Sequence, residues 1–320
     1  MYDIVALGEL LIDFTCQSTG PDGYPTMAAH PGGAPANFLA AAAKLGARTA
    51  LLGKVGADAF GALLTGTLQT AGIDTRGLVQ SPEVFTTLAF VTLDQRGERE
   101  FSFARKPGAD TQLRPEELDL ALLQDAKLLH FGSLSLTDEP ARSATQAAVA
   151  FAKSHGKLVS FDPNLRKPLW HSLETAKVQM LWGLQQADII KISDEEVDFL
   201  FGLSPQDGAA HILDACSVSL VFVTCGKDGC IFASRRASGQ VPGLSGLSVA
   251  DTTGAGDIFG GSAVFRVLQS GRAPQELCES ELRAIASFAV AASGLSVTKP
   301  GGISSVPEPS EIEAVLSSQL

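Results

Sequence analysis

Short apolar runs that are typical of strands alternate with helix-like segments along nearly the whole chain, and this alternation limits the possible folds most. Residues 157–161, 188–192 and 220–224 are such runs, and a helical pattern begins at about Leu169 between the first two. The pattern is typical of a mostly parallel central sheet with helices on both faces. A parallel strand that is buried on both sides should be continuously apolar, as residues 220–223 are. We therefore predict a single α/β domain over residues 1–320.

Two extended segments interrupt the alternation. Residues 84–93 and 98–104 have a period of two and flank Asp94-Gln95-Arg96-Gly97, which predicts a β-hairpin. The stretch from residue 11 to about residue 29 also has no helix of its own. We expect insertions at about 11–33 and 82–110 to form a small β-sheet, the lid, beside a cleft in the main domain. A β-ornament without function is the competing interpretation.

The charge of the chain limits its partners. The chain has 24 lysines and arginines against 35 aspartates and glutamates, which gives a formal charge of −11 at pH 7. This charge opposes nonspecific attraction to nucleic-acid backbones and anionic membranes. Backbone amides and a few basic side chains can still bind phosphate groups inside a cleft. We expect small-molecule partners, with no nucleic acid and no membrane.

The cysteines and histidines argue against a disulfide framework and a zinc site. The five cysteines include no Cys-x-x-Cys pair, and an odd number suits no closed framework. The five histidines are scattered without metal-ligand spacing. Asp3 lies in the first apolar stretch and no basic segment precedes it, which predicts a buried strand rather than a signal peptide. We therefore expect a cytoplasmic protein with reduced thiols.

The strongest functional signal is the segment Asp251-Thr252-Thr253-Gly254-Ala255-Gly256-Asp257, which leads into an apolar helix. A Gly-Ala-Gly turn at a helix start presents unpaired N–H groups and the positive end of the helix dipole, so it can form an anion hole. The segment matches neither a Walker A loop nor a dinucleotide fingerprint. An anion hole with an acid at its rim suits phosphoryl transfer to a hydroxyl group. A plain loop in which Asp257 caps the helix is the alternative.

A second glycine motif lies near the N-terminus, where Pro31-Gly32-Gly33-Ala34-Pro35-Ala36-Asn37 opens an Ala-rich helix. The two glycines allow a ligand to approach the backbone closely, and Asn37 offers a donor and an acceptor to sugar hydroxyls. A glycine turn with Asn37 bonded locally is the alternative. The glycines that follow in order are Gly46, Gly53 and Gly56.

Together, these two motifs resemble the signatures of the ribokinase-like (pfkB) carbohydrate kinases, and the resemblance covers essentially the whole chain. It implies a ribokinase-like fold with a β-sheet lid and a nucleotide-binding part at about residues 185–320. It also implies that Asp257 is the catalytic base and that Gly254, Ala255 and Gly256 form the anion hole.

The resemblance implies a sugar site as well. Asp13 follows the first strand at the position where relatives hold two sugar hydroxyls with a carboxylate, and Gly32, Gly33 and Asn37 complete the site. An aspartate that merely caps a turn is the alternative for Asp13.

Three further segments resemble fructokinases of this family. They are residues 99–110, which contain Arg105, residues 161–166 with Leu169-Trp170, which contain Arg166, and Phe131-Gly132-Ser133. Arg105 is expected to reach over the cleft and hold a hydroxyl or phosphate group, and Arg166 to face the phosphates. A solvated surface arginine and an ordinary turn at residues 162–164 are the competing interpretations.

The nucleotide side is implied by two segments that follow apolar strands. Ser193 stands where the family's Asn-x-x-Glu motif has asparagine, and Glu196 matches the glutamate that organises Mg²⁺ through water. The same two residues also form a capping box for the next helix. The residues expected to bind ATP are Lys191, Ser193, Thr224, Gly226 and Gly229.

A monovalent-cation site, with potassium as the candidate ion, is implied near the C-terminus. Val290 replaces the asparagine that relatives place beside adenine. The residues expected at the cation site are Asp251, Thr253, Ser296, Gly301 and Ser305.

The predicted function is transfer of the γ-phosphate of MgATP to the 6-hydroxyl of D-fructose, by a homodimer that pairs through residues 84–93. A kinase of 2-keto-3-deoxygluconate, ribose or a nucleoside shares the same catalytic motifs and stays open. So does a sugar sensor that retains the fold without catalysis.

Overall fold

A computed structural model describes residues 1–93 and 99–318, and its larger sheet forms the centre of the molecule. Numbered in chain order and given in spatial order, the strands are β14 (Ser238–Val241), β13 (Cys230–Ser234), β12 (Leu220–Thr224), β11 (Ile189–Ser193), β10 (Leu158–Asp162), β9 (Ala126–Gly132), β1 (Tyr2–Leu7), β4 (Thr49–Gly56) and β5 (Ile73–Asp74), with β6 (Leu78–Ser81) also parallel to β4. The strands from β12 to β5 in this order are all parallel, while β13 and β14 are antiparallel additions at one edge.

The smaller sheet contains the extended segments that interrupt the alternation. Its order is β3 (Pro25–Gly32), β2 (Leu11–Thr19), β7 (Leu88–Leu93) and β8 (Arg99–Ala104). The β7 and β8 strands pair antiparallel, with Leu88 opposite Ala104, so the predicted hairpin is confirmed. Its predicted turn, residues 94–97, lies outside the described residues.

Helices cover both faces of the larger sheet, as the sequence predicts. In β1, Val5 and Leu7 join one buried apolar cluster while Ile4 and Ala6 join the other, because successive side chains point to opposite faces. The helices are α1 (Ala34–Lys44), α2 (Ala59–Thr70), α3 (Leu120–Gln124), α4 (Ala141–Ser154), α5 (Leu173–Gln186), α6 (Asp194–Phe201), α7 (Pro205–Ala215), α8 (Ala255–Gln269), α9 (Glu279–Ser296) and α10 (Pro309–Ser318). The first cluster includes residues of α4, α5, α6 and α7, and the second includes residues of α1, α2, α8 and α9.

Close packing of α1 on α8 brings the first turns of these helices together. A Cβ atom at Gly261 of α8 would lie 2.1 Å from the carbonyl oxygen of Phe38 in α1, so only glycine permits this approach. Both helices begin at glycines with positive φ, 118° at Gly33 and 77° at Gly254. Among the helices of residues 1–93 and 99–318, none combines the length and the apolar character that a bilayer crossing requires.

Candidate active site

A cleft of about 640 Å³ lies between the smaller sheet and the ends of the parallel strands. Its volume falls in the range of small-molecule sites, and open α/β sheets bind ligands beyond the carboxyl ends of their strands. The smaller sheet contributes Leu11, Asp13, Thr15, Val91 and Phe103, so it faces the cleft as the lid was expected to do. The first residues of α1, α6 and α8 also line it.

Asp257 lies in the first turn of α8 and is 8% exposed. It does not cap the helix, because the residue at the cap position is Gly254. Asn37 Nδ2 donates to Asp257 Oδ2 at 2.9 Å, and Asn164 Nδ2 lies 3.5 Å from Asp257 Oδ1. The buried carboxyl is therefore held between two side-chain amides, and Asn37, which is 220 residues away in sequence, is not bonded locally.

Glycines give the Asn37 side chain its space. A Cβ atom at Gly302 would lie 2.2 Å from Asn37 Oδ1, and one at Gly254 would lie 3.1 Å from Asn37 Nδ2. Asn37 Oδ1 is buried and has no hydrogen-bond partner among residues 1–93 and 99–318. Because a buried polar atom without a partner is costly, this acceptor is suited to a donor from a ligand in the cleft.

Asp13, the carboxyl predicted for the sugar site, lines the same cleft. Burial raises the pKa of Asp13 to about 6, with Asp251 and Asp257 adding to the shift and Arg166 opposing it. A Cβ atom at Gly32 would lie 2.1 Å from Asp13 Oδ2, and one at Gly33 would lie 2.4 Å from the carbonyl oxygen of Glu9. The two glycines therefore let the β3–α1 turn pack directly against these acidic residues.

A buried ion pair lies beneath the start of α8. Lys191 Nζ is 3.0 Å from Asp162 Oδ2, and a Cβ atom at Gly256 would lie 2.8 Å from that nitrogen. Burial lowers the pKa of Lys191, but the carboxyl groups of Asp162, Glu196 and Asp257 outweigh this effect and the net pKa is raised. Lys191 thus supplies a permanent cation beside the predicted anion hole. Burial raises the pKa of Asp257, although Asn37, Lys191 and Arg166 oppose the shift.

Ser193 and Glu196 form the predicted capping box at the start of α6. Glu196 Oε2 accepts from the Ser193 amide at 2.9 Å, while Glu196 Oε1 accepts from the Leu165 amide at 2.7 Å. The glutamate therefore ties the loop after β10 to α6, and its role toward magnesium stays a prediction. Thr224 and Gly226, at the end of β12, line the cleft beside these residues.

The structure contradicts the prediction for Arg105, because its side chain does not reach over the cleft. The side chain is 3% exposed, and its NH2 nitrogen lies 2.7 Å from Asp110 Oδ2. It also donates to Thr137 Oγ1 and to the carbonyl oxygen of Leu134, both at 2.9 Å. These partners hold the guanidinium inside the protein, where it joins the end of β8 to the loop after β9.

Several other predicted residues lie behind the cleft wall rather than in its lining. A Cβ atom at Gly229, where φ is 94°, would lie 2.0 Å from the carbonyl oxygen of Val241, so this glycine fits the turn before β13. Val290 is 7% exposed and packs in the apolar cluster that includes α9. Within the described residues, those predicted for the site but absent from the lining are Gly32, Arg105, Gly229, Ala255, Ser296 and Ser305.

Asp251 connects the segment before α8 to the C-terminal loop. Its Oδ1 accepts from Thr253 Oγ1 at 2.8 Å, and its Oδ2 accepts from the Gly301 amide at 3.0 Å. Ser296 Oγ and Ser305 Oγ donate to the carbonyl oxygens of Ser293 and Gly302. The two predicted cation-site segments therefore lie side by side.

The sequence prediction missed two cleft residues, Glu9 and Asn164. Glu9 Oε1 accepts from the Ala34 amide at 3.0 Å and so caps α1 from a distant part of the chain. Burial raises the pKa of Glu9 to about 7, although the backbone amides of Glu9 and Ala34 oppose the shift. Its position directly after the first strand is the one sequence signal that could have identified it. Asn164 lies in the predicted turn at residues 162–164, where no local pattern assigned it a role.

Comparisons with known proteins agree with this geometry. Residues 1–309 match the profile of the pfkB family carbohydrate kinases. The chain is similar to probable fructokinase-3 of Arabidopsis thaliana, with 42% identity over 98% of this chain and 90% of that protein. A fructokinase from Xylella fastidiosa with bound ATP superposes with a TM-score of 0.91 at 33% identity, covering 100% of this chain and 99% of that one. A Vibrio cholerae O395 fructokinase in a fructose-, ADP- and calcium-bound form gives 0.86 at 31% identity and covers 98% of each chain.

Proposed function

Because the chain belongs to the pfkB family of carbohydrate kinases, we propose that it is a fructokinase, which transfers the γ-phosphoryl group of MgATP to the 6-hydroxyl of D-fructose. The observation that carries the proposal is Asp257, a buried carboxyl with a raised pKa at the start of α8, beside the Lys191 cation. The relatives named above support fructose as the acceptor and ATP as the donor.

In the proposed reaction, Asp13, Gly33 and Asn37 hold the sugar, and a sugar hydroxyl donates to Asn37 Oδ1, which lacks a donor among the described residues. Asp257 accepts the proton as the O6–H bond breaks. The oxygen forms a bond to the γ-phosphorus while the bond between that phosphorus and the leaving oxygen of ADP breaks. The N–H groups at the start of α8 and the Lys191 ammonium stabilise charge on the phosphoryl oxygens.

ATP is proposed to lie along Ser193, Thr224 and Gly226, with Arg166 facing its phosphates. The residues present fit magnesium bound with the nucleotide, because this ion keeps several waters and needs only one or two carboxylates in addition to phosphate oxygens. The carboxyl groups of Asp194, Glu195 and Glu196 line this part of the cleft. When bound, the ion neutralises charge on the phosphate oxygens.

Potassium activation belongs to the same proposal. The Asp251 carboxylate accepts from the amides of Thr253 and Gly301, so the two segments that could supply backbone carbonyls lie side by side. Carbonyl oxygens are ligands that such a cation accepts. A cation here would hold the anion-hole turn in place.

A homodimer is also proposed, with residues 84–93 pairing between subunits. Phe85 is 55% exposed at the base of this segment, which supports an apolar contact there. A monomeric mass in sedimentation experiments at micromolar concentration would refute it. A cytoplasmic location and the lack of nucleic-acid and membrane partners stay predictions from composition.

The test measures ADP release from MgATP with fructose, 2-keto-3-deoxygluconate, ribose, adenosine or no acceptor, each with and without potassium. Fructose is expected to give the highest kcat/KM.

Asp257→Asn keeps the shape of the carboxyl but cannot accept the proton, so it should lose at least about 100-fold in kcat while fructose still binds. Near-normal turnover by this variant would remove Asp257 from its role. Greater turnover with another sugar would keep the kinase and discard fructose, and fructose binding without ADP release would favour a sensor.

A further inference from the structure

The turn after β10 holds Asn164 in a backbone conformation that few residues adopt. Its φ is 45°, and within residues 1–93 and 99–318 it is the one residue other than glycine with positive φ. Asparagine tolerates this region better than most side chains, but the conformation still costs free energy and tends to occur at functional sites. An observed outlier in the wall of a catalytic cleft requires a physical reason.

Neighbouring carboxyl groups fix the turn from both sides. Asp162 Oδ1 accepts from the backbone amide of Asn164 at 3.2 Å, and the same carboxyl is paired with Lys191. Glu196 Oε1 accepts from the amide of the next residue, Leu165, at 2.7 Å. The backbone around Asn164 is therefore tied to β10 and to α6, and its side chain has a defined direction.

That direction is toward the proposed catalytic base. Asn164 Nδ2 lies 3.5 Å from Asp257 Oδ1, while Asn37 Nδ2 donates to the other carboxyl oxygen at 2.9 Å. The two amides thus contact the two oxygens separately, from α1 and from the β10 turn. A carboxylate with one donor can still rotate about its last side-chain bond, whereas donors on both oxygens fix its plane.

We propose that Asn164 is a positioning residue for Asp257. The side-chain amide of Asn164 fixes the plane of the Asp257 carboxylate so that one lone pair of Oδ1 faces the incoming sugar hydroxyl. The distance of 3.5 Å is long for a hydrogen bond, and such contacts at catalytic groups tighten when the substrate completes the site. This inference rests on the proposed kinase reaction and adds the residue that orients its base.

The opposing explanation is that asparagine is present only because the turn needs positive φ. Asn164→Gly separates the two, since glycine adopts this conformation without strain and lacks the amide. Asn164→Asp is the matched second variant, because it has nearly the same size and tolerance for positive φ but places a carboxylate against Asp257. The measurements are kcat and KM for the sugar that the wild-type protein phosphorylates best, its dissociation constant, and the melting temperature.

The expected result for Asn164→Gly is a kcat lower by about 10- to 100-fold, the range for a hydrogen bond to a charged group, with sugar affinity within about twofold of wild type. Asn164→Asp should lose more, because like charges repel. A fully active Asn164→Gly protein overturns the role of Asn164, as does a loss that appears only in sugar affinity or melting temperature. A wild-type protein that phosphorylates no sugar overturns the proposed function itself, so the two failures are distinguishable.

Discussion

Replacing Arg105 by methionine distinguishes a substrate contact from an internal anchor. The Arg105 and Asp110 side chains are only 3% and 2% exposed, so the variant leaves the Asp110 carboxyl buried without its cation. Thr87 Oγ1 still donates to that carboxyl, but a neutral donor replaces little of the lost charge interaction. Breaking a buried ion pair on one side costs about 3–5 kcal/mol.

The size of the protein determines how far this loss of unfolding free energy lowers the melting temperature. At about 2.1 cal/mol/K of unfolding entropy per residue, 320 residues lose roughly 1.5 °C for each kcal/mol, so Arg105→Met should melt about 4–7 °C below wild type. The assay is differential scanning calorimetry, with KM for fructose measured on the same samples. Arg105→Met combined with Asp110→Asn should recover part of the loss, because the uncompensated charge is gone.

A control is Lys299→Met, which removes an exposed cation whose ion pair with Glu311 has side chains 46% and 43% exposed. It should move the melting temperature by less than about 2 °C, since surface ion pairs contribute little. If Arg105→Met instead melts at the same temperature as wild type and raises only the KM for fructose, then Arg105 contacts the substrate and its assignment as an internal anchor is wrong.

Two further predictions concern helix packing and pH. Gly261→Ala should melt lower than wild type, because its Cβ would lie 2.1 Å from the carbonyl oxygen of Phe38, whereas Gly66→Ala in α2, where a Cβ meets nothing within 4 Å, should melt at or above wild type. Equal melting temperatures would contradict the α1–α8 packing argument. The kcat/KM for fructose should fall as the pH drops below about 6, because Asp13, with a pKa of about 6, and Asp257, with a raised pKa, act as carboxylates and lose this role once protonated. A flat profile down to pH 4.5 would contradict it.

Local sequence patterns predicted the elements of the fold but not the partners of its polar side chains. The parallel strands follow from continuous apolar runs and the β7–β8 hairpin from its period of two, because both signals lie within about ten residues. The Asn37–Asp257 hydrogen bond spans 220 residues, so no local pattern contains it. Arg105 shows the same limit: its position at the end of β8 was predictable, while its burial depends on Leu134 and Thr137, about 30 residues along the chain.

Most charged side chains in the cleft are acidic, so binding of a polyphosphate would depend on the start of α8 more than on the net charge of the protein. Seven carboxyl side chains line the cleft within the described residues, against Arg166, Lys167 and Lys191 as cations. A polyphosphate that enters the cleft meets more negative than positive side chains, and the overall charge of −11 is also negative. Favourable potential therefore has to come from the N–H groups at the start of α8, which has no side-chain cap, from Lys191 and from the divalent ion proposed to bind with the nucleotide. In the proposed reaction, glycine at 254 and 256 leaves these amides accessible to the phosphates, and Lys191 Nζ, which lies 2.8 Å from where a Cβ atom at Gly256 would be, acts on the same oxygens.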